Sequence, residues 1–304
     1  RVEDAPEPIE FESYGHGWSL EREPDVIMTA KEPVWVGDEV ADWQPMIPVQ
    51  IPEEIAAEDR WIKAVEFKPG SEVVHHIVGF AGGQMGGMIG GIAPGSELDI
   101  LPDGYGMLLP AGTPVLMGMH YNKEAGPGTG VWDQSEMAFW FTDKLVEHDV
   151  RWRAALSTTF NIPAGDPNHV VDVSYTFEQD SLLLALSPHM HFRGKASKYR
   201  ATYPDGSTEV LIDVPRYDFN WQSHYTFKEP KRMPAGTVLD VAMVFDNSAD
   251  NPANPDPTAD VRWGLPTTDE MANAWFNYCN AEPFKDGEVR ITESGTGGGP
   301  GGEF

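Results

Sequence analysis

The chain is poor in three things. Among 304 residues there is one cysteine, Cys279, so no internal disulfide can form and packing alone must hold the fold. Lys and Arg total 21 against 48 Asp and Glu, a net charge of -27. A surface of that sign repels phosphate backbones and anionic bilayers, which excludes nucleic acid as a partner class. No run of about 18 apolar residues occurs, so no helical membrane span is expected.

What remains is ample for a core, with 40% hydrophobic and 11% aromatic residues. The 31 glycines and 26 prolines are spread along the chain and leave little room for long helices. Segments of strand length lie between them, among them Trp61–Phe67, Glu136–Phe141, Ser181–Leu186 and Val238–Phe245. The pattern predicts an all-β protein of two consecutive antiparallel β-sandwich, jelly-roll-like domains. The expected layout is an acidic lead-in over 1–22, an N-terminal sandwich over 23–148 and a C-terminal sandwich over 149–282. A disordered Gly-rich tail follows over 283–304. The turn Pro110-Ala111-Gly112-Thr113 returns as Pro234-Ala235-Gly236-Thr237, each before an apolar strand, and hints that the halves are alike.

Five of the nine histidines fall in three tight settings. His75 and His76 are adjacent in an apolar strand, and His120 closes another. Neighbours on a regular strand face opposite ways, so His75 and His76 converge only at a bulge or a strand end. The alternative is one core and one surface histidine. His189 and His191 are two apart, the spacing that points two imidazoles the same way on a strand. Two such pairs in one acidic, cysteine-poor chain favour metal binding over incidental histidines.

The blocks Val74-His75-His76-Ile77, His120-Tyr121, His189-Met190-His191-Phe192-Arg193-Gly194-Lys195 and Thr268-Asp269-Glu270-Met271 occur in this order. Together they resemble the successive signatures of the copper type II, ascorbate-dependent monooxygenases, the family of the peptidylglycine α-hydroxylating and dopamine β-monooxygenases. The resemblance covers roughly residues 18–280 and is nearest to bacterial-type relatives. It implies two copper ions per chain. His75, His76 and His120 match the ligands of the electron-donating ion. His189, His191 and Met271 match those of the oxygen-activating ion and would be the catalytic set. A thioether favours Cu(I) and speaks against zinc at the second site.

The resemblance further implies hydroxylation of a C–H bond in a small organic substrate, with O2 and a one-electron reductant such as ascorbate. Asn273 and Trp275 stand at substrate-contact positions. Trp275 replaces the tyrosine of the amidating enzymes, and Ser187 replaces their carboxylate-binding arginine. A neutral, partly apolar or aromatic substrate is therefore expected, with Arg193 as the fallback partner for a carboxylate. The rival expectation is a non-catalytic copper-binding or electron-transfer protein that keeps the ligands; a third is a purely structural sandwich. Copper oxygenases of this type are usually exported, so a periplasmic or secreted protein is expected. The start Arg1-Val2-Glu3-Asp4 carries no signal segment, so either the protein is cytoplasmic or that segment has been removed.

The other features take ordinary readings. His16, His148, His169 and His224 are expected to be surface or hydrogen-bonding residues. The Gly82–Gly91 run, with Met85 and Met88, lacks the context of a phosphate loop and is expected to be a mobile loop. Cys279 is expected to be an inert buried thiol.

Overall fold

A computed structural model describes residues 17–82, 87–93 and 98–284. Most of the expected lead-in and tail, His16 and Met85 fall outside those residues. The described chain is almost entirely β, with one four-residue helix, Glu53–Ala56. None of its helices is long and apolar enough to cross a membrane.

The alternation that marks each strand also sets its inward face. In Val238–Phe245 every second residue is buried, which sends Leu239, Val241, Met243 and Phe245 inward. That strand runs in a sheet ordered His169–Thr176, Val238–Phe245, Gly194–Thr202, Thr208–Val214. Facing it is a sheet ordered Arg151–Ser157, Ala272–Asn280, Ser181–His189, Tyr225–Met233. Phe276, Leu183 and Leu186 of the second sheet close one core with Met243 and Phe245 of the first.

The N-terminal half repeats the plan. One sheet is ordered Val26–Thr29, Glu136–Phe141, Arg60–Lys68, Tyr105–Leu109, His148–Asp149. The other is ordered Asp42–Trp43, Val115–Asn122, Val74–Ala81, Gly87–Ile92. Every sheet draws its strands from one side of residue 150. The repeated turns fold alike as well. Thr113 N–H donates to Pro110 O at 3.2 Å and Thr237 N–H to Pro234 O at 3.0 Å. Gly112 and Gly236 take φ of 69° and 85° there, a region that glycine enters without a Cβ clash.

The structure departs from the sequence reading in one element. Gly87–Ile92 is a strand paired with Val74–Ala81 rather than a loop. Its glycines hide the pattern, while Ile89 is buried in the core. Residues 83–86 of that run lie outside the described residues. The two halves also share packing. Val150, Trp152, Leu184 and Cys279 join the hydrophobic core of the first half, with Leu182 and Trp275 at its edge. Cys279 is buried there, and burial pushes its thiol up to about 12.

Candidate metal centre

His75 and His76 open the strand Val74–Ala81. The register of that strand against Val115–Asn122 slips there, so that His76 faces His120 while Tyr121 faces Val74. His75 is the extra residue of a β-bulge, the device that lets adjacent side chains turn to one side. All three rings converge through the same nitrogen. His76 Nδ1 lies 3.3 Å from His75 Nδ1 and 3.2 Å from His120 Nδ1.

Those separations bear directly on metal binding. Two nitrogens bound to one ion at 2.0–2.1 Å and a tetrahedral angle lie about 3.3–3.4 Å apart. Burial, followed by the neighbouring imidazoles, drives His76 well below the ordinary imidazole value and His75 to about 4. Both rings are therefore neutral at pH 7, as ligation requires. The residues fit an ion. Among the described His, Cys, Asp and Glu side chains, this trio is the cluster whose ligand atoms all lie within 4.8 Å of one another.

His189 and His191 reach the same region from the second half. The strand Ser181–His189 ends at His189, and His191 belongs to the turn closed by Gly194 N–H donating to His191 O at 3.0 Å. Strand periodicity thus does not position His191; a carboxylate does. Glu270 accepts the backbone N–H of His191 at 2.8 Å, of Arg193 at 2.6 Å and of Met271 at 3.2 Å. The same carboxylate holds the histidine turn and the methionine together.

The distal nitrogens fix how these rings are presented. His191 Nδ1 lies 3.2 Å from Asp269 O, a group that only accepts, so Nδ1 carries the proton and Nε2 is free to ligate. His189 Nδ1 lies 2.7 Å from Gln222 Oε1, while Gln222 Nε2 donates to Phe219 O at 2.9 Å and so fixes the amide orientation. His189 also presents Nε2. The first trio converges through Nδ1, and the second pair leaves Nε2 open. Met271 is buried, and its Sδ accepts from Asn273 Nδ2 at 3.4 Å.

The two clusters face each other. The rings of His76 and His189 are 6.1 Å apart, those of His189 and His191 are 5.3 Å apart, and Phe219 stacks on His75 at 4.5 Å with planes 9° apart. Asp42 lies at the joint. Its Oδ2 is 3.3 Å from His120 Nε2 and accepts from Thr267 Oγ1 at 2.6 Å. Burial pushes this carboxyl up, but the neighbouring His120 ring and the bond from Thr267 outweigh it and hold it down at about 2.

Asn273 and Trp275 share the Met271 face of their strand, since residues two apart point the same way. Asn273 Oδ1 is buried without a protein partner, and Trp275 lies opposite Ser187 in the adjacent strand. Arg193 is buried and donates to Asn247 Oδ1 at 2.8 Å and Thr268 O at 2.8 Å. It braces the site from behind and is not placed to receive a substrate carboxylate, contrary to its fallback role. Sequence reasoning gave no role to Asp42, Phe219, Gln222 or Glu270. His148, His169 and His224 take structural contacts, with Asn280 O, Asp166 and the Trp152 ring respectively.

No protein-family model matches the chain, and no curated protein matches it. Among solved structures it is similar to one titled "PBCV-1 virus capsid, quasi-atomic model". The identity is 9%, over 87% of this chain and 97% of that chain, with a TM-score of 0.31. A likeness at that level carries no argument, and the fold rests on its own strands.

One expected result concerns acid. Burial also lowers His189, and it takes His191 to about 3 with help from His189. In the unfolded chain these imidazoles protonate near pH 6.5, whereas in the fold burial keeps them neutral to lower pH. Their contribution is complete above pH 6.5 and is lost as pH falls toward the folded values. Glu270 has the opposite sign, because burial raises its carboxyl to about 8, but it is one group against four. The metal-free protein should lose stability between pH 7 and 5, at roughly 1.4 kcal/mol per pH unit for each net proton. Chemical denaturation at several pH values measures this, and His76→Gln should flatten the slope. A level profile would show that these rings are not buried neutral.

Proposed function

We propose that this protein is a copper-dependent monooxygenase that hydroxylates a C–H bond of a small, neutral substrate. The observation that carries the reading is the convergence of His75 and His120 Nδ1 within 3.2–3.3 Å of His76 Nδ1, beside a second pair that presents Nε2. Three imidazoles suit both copper oxidation states, while two imidazoles with a thioether favour the reduced one. Bound copper would supply one-electron redox and oxygen activation at these residues.

The protein's own contribution is positional. The His75 bulge turns three nitrogens onto one point, and Asp42 faces the distal nitrogen of His120. Glu270 fixes His191 and Met271 to each other, and Gln222 fixes the tautomer of His189. Substrate would lie along the face shared by His189, Asn273 and Leu156, which are aligned across three strands. Leu156 is half exposed and apolar, Asn273 Oδ1 offers a hydrogen-bond acceptor, and Ser187 and Trp275 add no charge. This face suits a neutral, partly apolar or aromatic molecule that donates one hydrogen bond. The reductant would be ascorbate or a similar one-electron donor, and the protein would act in the periplasm or outside the cell.

The test is copper loading followed by oxygen consumption with ascorbate across a panel of neutral aromatic compounds and glycine-terminated peptides. Two copper equivalents and an ascorbate-dependent hydroxylated product from a neutral compound are expected. Peptides should be poor substrates, since the charged hydrogen bond they lack contributes roughly 1.5–3 kcal/mol. Copper uptake with no product from any compound would reduce the protein to a copper carrier.

Met271→Leu conserves volume and should cost less than about 1.5 kcal/mol of stability. It should weaken Cu(I) binding at that site while leaving most Cu(II) affinity. Competition with a Cu(I) chelator reads the difference, and unchanged Cu(I) affinity would make Met271 a packing residue.

A further inference from the structure

We infer that Asp42 is a positioning residue that joins the two half-sites, orienting His120 through one contact and fastening the loop that carries Met271 through another. The inference rests on the metal reading above and adds to it a residue that no motif contains.

The argument starts from the strand pair. Asp42 and Trp43 form a two-residue strand against Asn122 and Tyr121, which places the Asp42 carboxylate next to His120. His120 turns Nδ1 to the histidine cluster, so Nε2 is the nitrogen nearest Asp42, at 3.3 Å, otherwise without a hydrogen-bond partner and within reach of the carboxylate on a small rotation. An ionised carboxylate only accepts, so it favours the tautomer with the proton on Nε2 and an open lone pair on Nδ1. That is the form a ligand through Nδ1 must take.

The same oxygen crosses to the other half of the molecule. Asp42 Oδ2 accepts from Thr267 Oγ1 at 2.6 Å and faces Thr267 N at 3.4 Å. Two residues away on each side, Gln44 Nε2 donates to Leu265 O at 2.5 Å. Thr267 is buried and begins the segment that supports the second cluster. Thr268 O takes Arg193, Asp269 O faces His191 Nδ1, and Met271 follows. A continuous path therefore runs from His120 through Asp42 and Thr267 to Asp269 and His191. A carboxylate serving only the domain contact would have no reason to face a buried ligand histidine. One serving only His120 would not need Thr267.

Two variants separate the contacts. Thr267→Val is close to isosteric and removes only the cross-domain bond. Asp42→Asn can donate to His120 Nε2 through its amide and so favours the wrong tautomer. In the metal-free protein, the 15N shifts of the His120 ring should show Nε2–H in the wild type and in Thr267→Val, and a shift toward Nδ1–H in Asp42→Asn. With copper alone as the probe, Asp42→Asn should bind 10- to 100-fold more weakly at the three-histidine set. Thr267→Val should keep affinity within about twofold yet broaden or lengthen the copper–copper distance read by pulsed EPR. Asp42→Glu, which keeps the charge, should recover part of the affinity.

Wild-type affinity in Asp42→Asn together with an unaltered distance in Thr267→Val overturns the inference and leaves the metal reading standing. A wild-type protein that takes up no copper overturns both. Should Asp42→Asn not fold, the distance in Thr267→Val decides alone.

Discussion

Replacing His189 and His191 together with alanine is expected to lower bound copper from two equivalents to one and to abolish product formation. The two imidazoles are the nitrogen donors of the second cluster, and a thioether alone is a weak anchor for a divalent ion. The first cluster should survive, because His75, His76 and His120 sit on strands of the other half and do not pair with either residue. The fold should survive too. The turn through His191 is held by its backbone N–H to Glu270, which alanine keeps. Copper per chain after dialysis, with the EPR spectrum of the remaining ion, checks both halves of the expectation. A double variant that still retains two equivalents would remove these histidines from the ligand set.

Glu270→Leu should be among the most destabilising single substitutions in the C-terminal half. The carboxylate is fully buried and accepts three backbone N–H groups, from His191, Arg193 and Met271. Leucine leaves all three without an acceptor, at about 1–3 kcal/mol each. A net loss of about 3–5 kcal/mol is expected, toward the low end of that sum because leucine adds apolar burial. Against a total stability of roughly 5–15 kcal/mol, that is a large share of what holds the protein folded. Glu270→Gln keeps one acceptor oxygen and should cost less. Urea denaturation of the metal-free proteins measures the order, and a loss under about 1 kcal/mol in Glu270→Leu would show that water replaces the carboxylate.

The β class was legible because it is written in local chemistry. Alternation in Val238–Phe245 and the glycine-bearing Pro-Ala-Gly-Thr turns act over a few residues and need no tertiary partner. The His75 bulge was legible for a similar reason, since two adjacent histidines cannot share a face otherwise. Gly87–Ile92 was misread because glycine is depleted in strands, and here Ile89 and the pairing with Val74–Ala81 override that preference. His191 was placed by a period of two that stops at His189, and a carboxylate 79 residues away does the positioning. Asp42 gave no signal at all, and Phe219 and Gln222 stood only in a stretch that resembles the bacterial-type relatives, with no role attached. Each is an ordinary residue whose importance comes from which histidine the fold sets beside it.

The shared core at residue 150 bears on how the molecule can be divided. A chain ended there would lose Trp152, Leu184 and Cys279 from the first core and leave an apolar wound on each fragment. Neither piece would be a soluble module to transplant, although no sheet crosses the boundary. Shuffling of one half against a foreign partner would need a matching seam as well as matching ligands. The two sandwiches share no sheet among the described residues, but hydrophobic packing and the bonds from Thr267 to Asp42 and from Gln44 to Leu265 join them, so they are expected to have diverged, and to melt, as one body.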